Sequence, residues 1–246
     1  MDQVLILAAG KGTRMNSDKP KVLHELANKP MLKYVFEEAI SISPKPITVV
    51  GYGHEQVRRC LEGESTTYII QDKQLGTGHA VSCARDYIDK EGSKNIFILP
   101  GDHPLIKAET LKKIVEIHKE TSAIVTIGTV KVPNFEGVFS QFLHSGRIVR
   151  DENGKIVEII EYKDATDKQK EITEVNVSYY CFDSRWLCSN LSKLGNTNAS
   201  QEYYITDLPK LASSQKQVIS SFEILEYFQA LGANTPEQLT RLEQYL

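Results

Sequence analysis

Gly10 and Gly12 interrupt an apolar run, and the cations Lys11, Arg14, Lys19 and Lys21 follow, with Pro20 between the last two. Glycines let backbone amides approach a bound group closely, and Arg14 and Lys21 add fixed positive charge, a combination suited to a polyphosphate. The stretch lacks the third glycine of a dinucleotide fingerprint, and the P-loop pattern G-x-x-x-x-G-K-[ST] is absent. By themselves the glycines fit a strand-to-helix turn with solvated lysines equally well. A second chemical candidate is Asp102, which follows an apolar run and Gly101. A carboxylate at a strand tip suits a hard cation such as Mg²⁺, which commonly takes one or two protein oxygens beside those of phosphates. The competing reading of Asp102 is a turn cap.

These residues need elements to hold them. Residues 3–8 read as a buried strand and 30–40 as a helix, since Met31, Tyr34, Val35 and Ala39 recur at helical spacing. Strands at 47–51, 67–71 and 95–99 alternate with helices at 54–61 and 77–87, and a turn at Pro100-Gly101-Asp102 closes the series. Strand-then-helix order predicts a parallel sheet with helices on both faces and ligands at the strands' carboxyl ends. After a helix at 107–119 and a strand at 123–130, shorter strands are expected at 138–143, 147–151, 156–161 and 174–182, with Asn153-Gly154 as a hairpin turn. A last helix, 236–246, is capped by Thr235 with Pro236 in its first turn. The expected architecture is α/β, a Rossmann-like, mostly parallel sheet flanked by helices and carrying a smaller strand-rich elaboration. The parallel-sheet part is about 1–130, the strand-rich elaboration about 131–225 and a C-terminal helical segment about 226–246, all in one domain.

The composition, 41% hydrophobic and 25% charged over 246 residues, supports one enlarged globular domain rather than a disordered chain. A net charge of −3 offers no broad attraction to nucleic acid or an acidic membrane, which leaves a small-molecule partner. Cys60, Cys83, Cys181 and Cys188 form no C-x-x-C pair or zinc spacing, and no signal segment opens the chain, so a reducing cytoplasm is expected. No apolar run approaches the ~18–20 residues that span a bilayer.

The stretch L-A-A-G-x-G-T-R-M at residues 7–15, with P-K-V-L-H at 20–24, resembles the signature of sugar-nucleotide pyrophosphorylases. More narrowly, it resembles the uridyltransferase domain of the bifunctional enzymes that make UDP-N-acetylglucosamine. The likeness continues in Q-L-G-T-G-H-A (74–80), G-D-x-P-L (101–105), E-Y-K-D-A-T (161–166) and E-Y-Y-I-T-D (202–207), in the family's order across nearly the whole chain. The resemblance implies a reaction: a sugar 1-phosphate oxygen attacks the α-phosphorus of UTP, pyrophosphate leaves and a UDP-sugar forms. Such chemistry needs alignment and charge neutralisation rather than a protein nucleophile.

The resemblance also implies roles. Leu7, Ala8, Ala9, Gly10 and Gly12 would meet the nucleotide together with Gly101, and Gln71, Gly76 and Thr77 would complete a uracil pocket. Arg14 and Lys21 would stabilise charge on the triphosphate as pyrophosphate departs. Asp102 would hold Mg²⁺ with Asn234 as its distant partner. Gly146, Glu161 and Asn176 would bind the sugar, and Lys163 the sugar phosphate. Each has a plainer reading: a strand-end bond for Gln71, mobile surface cations for Arg14 and Lys21, a turn residue for Asn234, strand or turn residues for the sugar set and a surface salt bridge for Lys163.

Three positions depart from the family pattern. Pro100 stands where an aromatic is usual, His103 replaces a small apolar residue, and Asn176-Val177-Ser178 replaces Asn-Thr-Gly. These bear on substrate identity more than on reaction class. Alternatives are therefore a related nucleotidyltransferase with another nucleotide or sugar phosphate, and a non-catalytic nucleotide-binding regulatory module. A nicotinamide-dependent dehydrogenase fits less well. The hexapeptide repeats of the bifunctional relatives' left-handed β-helix are absent from the sequence, so acetyl transfer is not expected and the relatives' trimer is not carried over, which leaves the oligomeric state open.

Overall fold

The computed structural model describes residues 2–246. Its first strand, β1 (Asp2–Ala8), is apolar from Val4 onward because both of its faces are covered there. Val4, Ile6 and Ala8 enter one core cluster, while Leu5 and Ala9 enter the other. A small hairpin, β2 (Glu25–Leu26) and β3 (Lys29–Pro30), precedes α1 (Met31–Ala39). Then come β4 (Ile47–Val50), α2 (His54–Cys60), β5 (Thr67–Ile70), α3 (Thr77–Cys83), α4 (Arg85–Glu91) and β6 (Asn95–Pro100). The second half holds α5 (Ala108–Thr121), β7 (Val125–Lys131), β8 (Arg147–Arg150), β9 (Ile156–Ile160), α6 (Asp167–Lys170) and β10 (Glu174–Asp183). The chain finishes with α7 (Ser184–Asn190), α8 (Asp207–Ser214), β11 (Ile219–Glu223) and α9 (Pro236–Leu242).

The main sheet runs β11-β7-β10-β6-β1-β4-β5, with β8 and β9 attached beside β10. β1 pairs in parallel with β4 on one side and β6 on the other. The early crossovers therefore move outward to β5, and the chain returns to put β6 on the opposite flank of β1. That reversal opens a crevice beyond the carboxyl ends of β1 and β6. Leu7 faces Pro100 in register, and the Gly101 N–H donates to the Leu7 carbonyl at 2.9 Å. The Gly10 loop and the Asp102 loop thus leave the sheet side by side.

The structure departs from the sequence expectations in several places. β10 runs antiparallel between β6 and β7, so the sheet is mixed at its centre. Residues 138–143 are not a strand; Gly137–Phe142 is a 3-10 segment. Gly137 sits at φ +54° and the Ser140 hydroxyl bonds back to its carbonyl at 2.8 Å, local closures that compete with strand pairing. The helix expected over 77–87 is two helices that turn at buried Ala84, which lets both Val81 and Ile88 reach the same core. Pro30 ends β3 rather than opening α1. The final helix stops at Leu242, and a 3-10 turn then lays Tyr245 against Tyr227, hydroxyl to hydroxyl at 3.0 Å. Thr235 does cap α9, its hydroxyl accepting from Gln238 N–H, with Pro236 in the first turn. β11, α7 and α8 carried no sequence expectation.

Candidate active site

The cationic end of the crevice is built on two short 3-10 turns, Thr13–Met15 and Lys21–Leu23, whose buried Met15, Val22 and Leu23 anchor them to the core. That anchoring directs Lys21 into the crevice, where its Nζ donates to Asp102 Oδ2 and, at 2.6 Å, to Asn234 Oδ1. Arg14 Nη2 donates to the same Asn234 oxygen at 2.9 Å. Gly12 sits at φ +70°, and a Cβ there would lie 2.6 Å from Lys21 Cβ, so the missing side chain leaves room for the lysine stem. Burial by itself would raise the Asp102 carboxyl, but the Lys21 charge and hydrogen bond outweigh it and hold the group below the ordinary carboxylate value. Lys11 lies over the Tyr52 ring at 5.0 Å.

Two oxygens, one from Asp102 and one from Asn234, therefore converge on a single cationic atom. A carboxylate and a carboxamide oxygen are the hard donors that Mg²⁺ takes, so the pair fits such an ion.

Toward β5, Gln71 ends buried beside the turn into α3. Its Nε2 lies 3.1 Å from the Gly76 carbonyl and 3.0 Å from His79 Nδ1. Gly76 has φ +105°, and a Cβ would fall 2.6 Å from the Tyr203 carbonyl, so only glycine fits this docking of the loop on the 202–207 segment. The docking is completed by Gly78 N–H to the Tyr203 carbonyl and Tyr203 N–H to the Leu75 carbonyl, both 2.8 Å, and by Ile205 N–H to Thr77 Oγ1 at 3.2 Å.

Beyond β10 the surroundings change. Glu161 accepts from Thr206 Oγ1 at 2.9 Å, and burial, with Asp164, Asp207 and Glu202 nearby, raises its carboxyl despite that bond. Asn176 donates to the Tyr180 hydroxyl at 2.7 Å and accepts from Ser178 N–H at 3.1 Å, across an irregularity in β10 that puts Ser178 at φ +64°. The Gly146 carbonyl accepts from Asn176 N–H at 2.8 Å, and a Cβ on Gly146 would lie 3.5 Å from Glu161 Oε1. His103 Nδ1 is 3.0 Å from the Tyr179 hydroxyl, and burial pushes its imidazole down to about 4, so the ring is neutral at physiological pH.

Two adjoining cavities occupy the crevice. Leu7, Ala9, Gly10, Lys21, Asp102 and Glu161 line the first, of about 340 Å³, which also reaches Gln71, Gly76 and Thr77. Gly146, Asn176 and Asn234 line the second, of about 220 Å³, and Glu161 and Ser178 belong to both. The remaining sequence candidates stand off these walls. Ala8 turns into the core, Gly101 is buried against Leu7, Gly12 packs under Lys21, and Arg14 reaches in only as far as Asn234. Lys163 is exposed and donates to Ser200 Oγ at 3.3 Å, outside both cavities; its side chain follows the outward half of the turn after β9. Sequence reasoning assigned no role to Thr206, Tyr180 or Gln74, although all three line the first cavity. Thr206 and Gln74 stood inside quoted motifs, whereas Tyr180 gave no signal apart from its neighbours.

The description "MobA-like NTP transferase domain" matches residues 4–159. The chain is 44% identical over 239 residues to "Bifunctional protein GlmU" of Carboxydothermus hydrogenoformans, covering 97% of this chain and 51% of that one. It is 37% identical over 243 residues to the protein of the same name from Bacillus subtilis, with 98% and 51% coverage. It thus spans about half the length of these curated relatives. A solved Bacillus anthracis structure, of a protein assigned as a glucose-1-phosphate thymidylyltransferase, superposes with TM-score 0.75 over 100% of this chain and 95% of that one, at 20% identity, and so shares the fold. With its crevice at the β1–β6 reversal and its match over residues 4–159, the chain belongs to the MobA-like NTP transferase domain family, a family of nucleotidyltransferases.

Proposed function

We propose that the chain transfers a uridylyl group from UTP to N-acetylglucosamine 1-phosphate, forming UDP-N-acetylglucosamine and pyrophosphate. One observation supports the reading: the Lys21, Arg14 and Asp102 cluster and the hydrogen-bonding set of Glu161 and Asn176 lie at adjoining cavities that share Glu161. The GlmU relatives support the choice of substrates. Backbone groups of Leu7 to Gly10 and the Gln71–Thr77 loop receive the base, and Gly146, Glu161 and Asn176 the sugar. Lys21 and Arg14 neutralise charge as the sugar phosphate oxygen attacks the α-phosphorus and pyrophosphate leaves in line. Asp102 and Asn234 would hold Mg²⁺, which, when bound, reduces repulsion between the two phosphates. Lys163 would reach a sugar phosphate only by leaving Ser200.

The labour divides into a nucleotide part of about 1–130, a sugar part of about 131–225 and a C-terminal segment of about 226–246 that contributes Asn234. No described helix is long and apolar enough to cross a membrane, the four cysteines are free thiols, and we assign the chain to the cytoplasm. The test is pyrophosphate release from UTP with a panel of sugar 1-phosphates, with and without Mg²⁺. Release that requires both the metal and N-acetylglucosamine 1-phosphate is expected. Release with a different sugar alone would move the assignment; of the departures from the family pattern, His103, Val177 and Ser178 line the second cavity and Pro100 lines the first.

A further inference from the structure

The hydrogen bonds around Gln71 leave its amide one vacant capability. Nε2 lies 3.1 Å from the Gly76 carbonyl, a group that only accepts, so the atom facing it must be the nitrogen and not the oxygen. The same Nε2 lies 3.0 Å from His79 Nδ1. With the nitrogen fixed by Gly76, the contact with His79 is a hydrogen bond only if Nδ1 carries a lone pair. The imidazole proton then sits on Nε2, which faces Cys83 Sγ at 4.0 Å, a weak acceptor at the right place. Both amide protons of Gln71 are thereby committed, on a side chain that is only 3% exposed. What remains is Oε1, an acceptor with nothing to donate, on a residue that lines the first cavity.

Uracil carries a proton on N3, whereas cytosine has a lone pair at the same ring position. An acceptor held opposite N3 therefore meets a donor in one base and a second lone pair in the other, and a buried pair of facing lone pairs is costly. Gly76 alone does not secure this: freed from His79, the amide could rotate and offer its second proton to the cavity. His79 removes that option by holding the proton from the helix side.

Resting on the uridylyl-transfer reading, we infer that His79 is a positioning residue for base selection, holding Gln71 in the acceptor-only state that reads the N3 proton of uracil and rejects cytosine. It touches no substrate. The inference makes α3 part of the specificity apparatus through the His79 tautomer rather than through a base contact.

The experiment compares kcat/KM for UTP and CTP, each with N-acetylglucosamine 1-phosphate, in the wild type, His79→Phe and His79→Asn. His79→Phe keeps a ring but supplies no acceptor, and its UTP-over-CTP preference should fall roughly tenfold or more, through KM for the nucleotide rather than kcat. His79→Asn offers a carbonyl oxygen near the position of Nδ1 and should restore most of the preference. A merely structural histidine would lower both nucleotides alike. A wild type that prefers UTP while His79→Phe keeps that preference overturns the inference and leaves the reaction standing. Failure of the wild type to release pyrophosphate from UTP overturns the reaction itself, and the inference with it. Should His79→Phe fail to fold, long-range ¹⁵N–¹H spectra of wild-type imidazoles decide the matter: an Nε2–H tautomer at His79 supports the inference, and an Nδ1–H tautomer overturns it.

Discussion

The two ends of the crevice are built by opposite means. At the cationic end, charges meet charges: Lys21 bridges Asp102 and Asn234, Arg14 joins from an exposed turn, and the lysine and aspartate side chains stay 16% and 15% exposed. At the opposite end, beyond β10, polar groups are already bonded to one another: buried Asn176 to buried Tyr180 and Glu161 to buried Thr206, with the fully buried Arg147 held by backbone carbonyls. A triphosphate brings its own charge and a metal, so cations held by short anchored turns suffice. A neutral sugar ring is recognised by direction alone, and direction requires groups that are fixed before it arrives.

The largest contrast lies in removing one group from each end. On the proposed reaction, Lys21→Ala is expected to lower turnover by about 10²–10³-fold, since it would delete charge stabilisation at the reacting phosphates. Pyrophosphate-release kinetics beside thermal melts check this; a loss explained wholly by unfolding would break the contrast. Arg147→Leu should act through stability instead. Its guanidinium donates to the carbonyls of Leu143 at 2.8 Å, of Ser145, and of Lys170 at 3.2 Å, beneath the Phe135 ring at 4.3 Å. Leaving those carbonyls unpaired should cost about 2–4 kcal/mol in denaturant unfolding and loosen the loop that presents Gly146.

Glu161→Gln separates binding from stability. KM for the sugar phosphate should rise about tenfold with kcat changed less, as expected for a directional acceptor turned half donor. At neutral pH the variant should melt higher than the wild type. Burial raises the Glu161 carboxyl above its ordinary 4.5, so the protonated form favours the folded state and that stability is lost as pH rises through the raised value. Glutamine avoids this loss, and the difference should close as pH falls below 4.5.

Smaller effects sharpen the comparison. Ser178 holds a left-handed backbone at φ +64°; glycine relieves about 1–2 kcal/mol of steric cost there and gives back about 0.4–1 kcal/mol in unfolded-chain entropy, so Ser178→Gly should stabilise the protein by no more than about 1 kcal/mol in denaturant unfolding. Lys163→Ala should change kcat/KM less than about twofold, as for an exposed side chain bonded to Ser200; a large loss would give Lys163 the sugar-phosphate role that the resemblance implies.

Much of the nucleotide side was legible because its determinants are local. The apolar run into Gly10, the turn into Asp102 and the alternation of strand and helix all follow from neighbouring residue types, and β1, β4, β5 and β6 lie where periodicity put them. The second half was harder to read. Residues 138–143 have strand-like composition, yet Gly137 and Ser140 close a turn there. The antiparallel β10 depends on partners far along the chain, and β11 pairs with β7 across roughly ninety residues of sequence.

The sequence by itself determined the kind of groups available: a glycine loop with cations, a carboxylate after a buried strand, amides and a glutamate in recognisable order. Tertiary structure alone decided which of them meet. Lys21 and Asn234 are separated by 213 positions, and Arg14 and Asn234 by 220, yet each pair is in hydrogen-bond contact. It also decided that Lys163 stays outside and that Thr206 enters. Residue type sets what a side chain is able to donate or accept, whereas direction and burial, which turn that capacity into recognition, arise only when distant segments pack on one sheet.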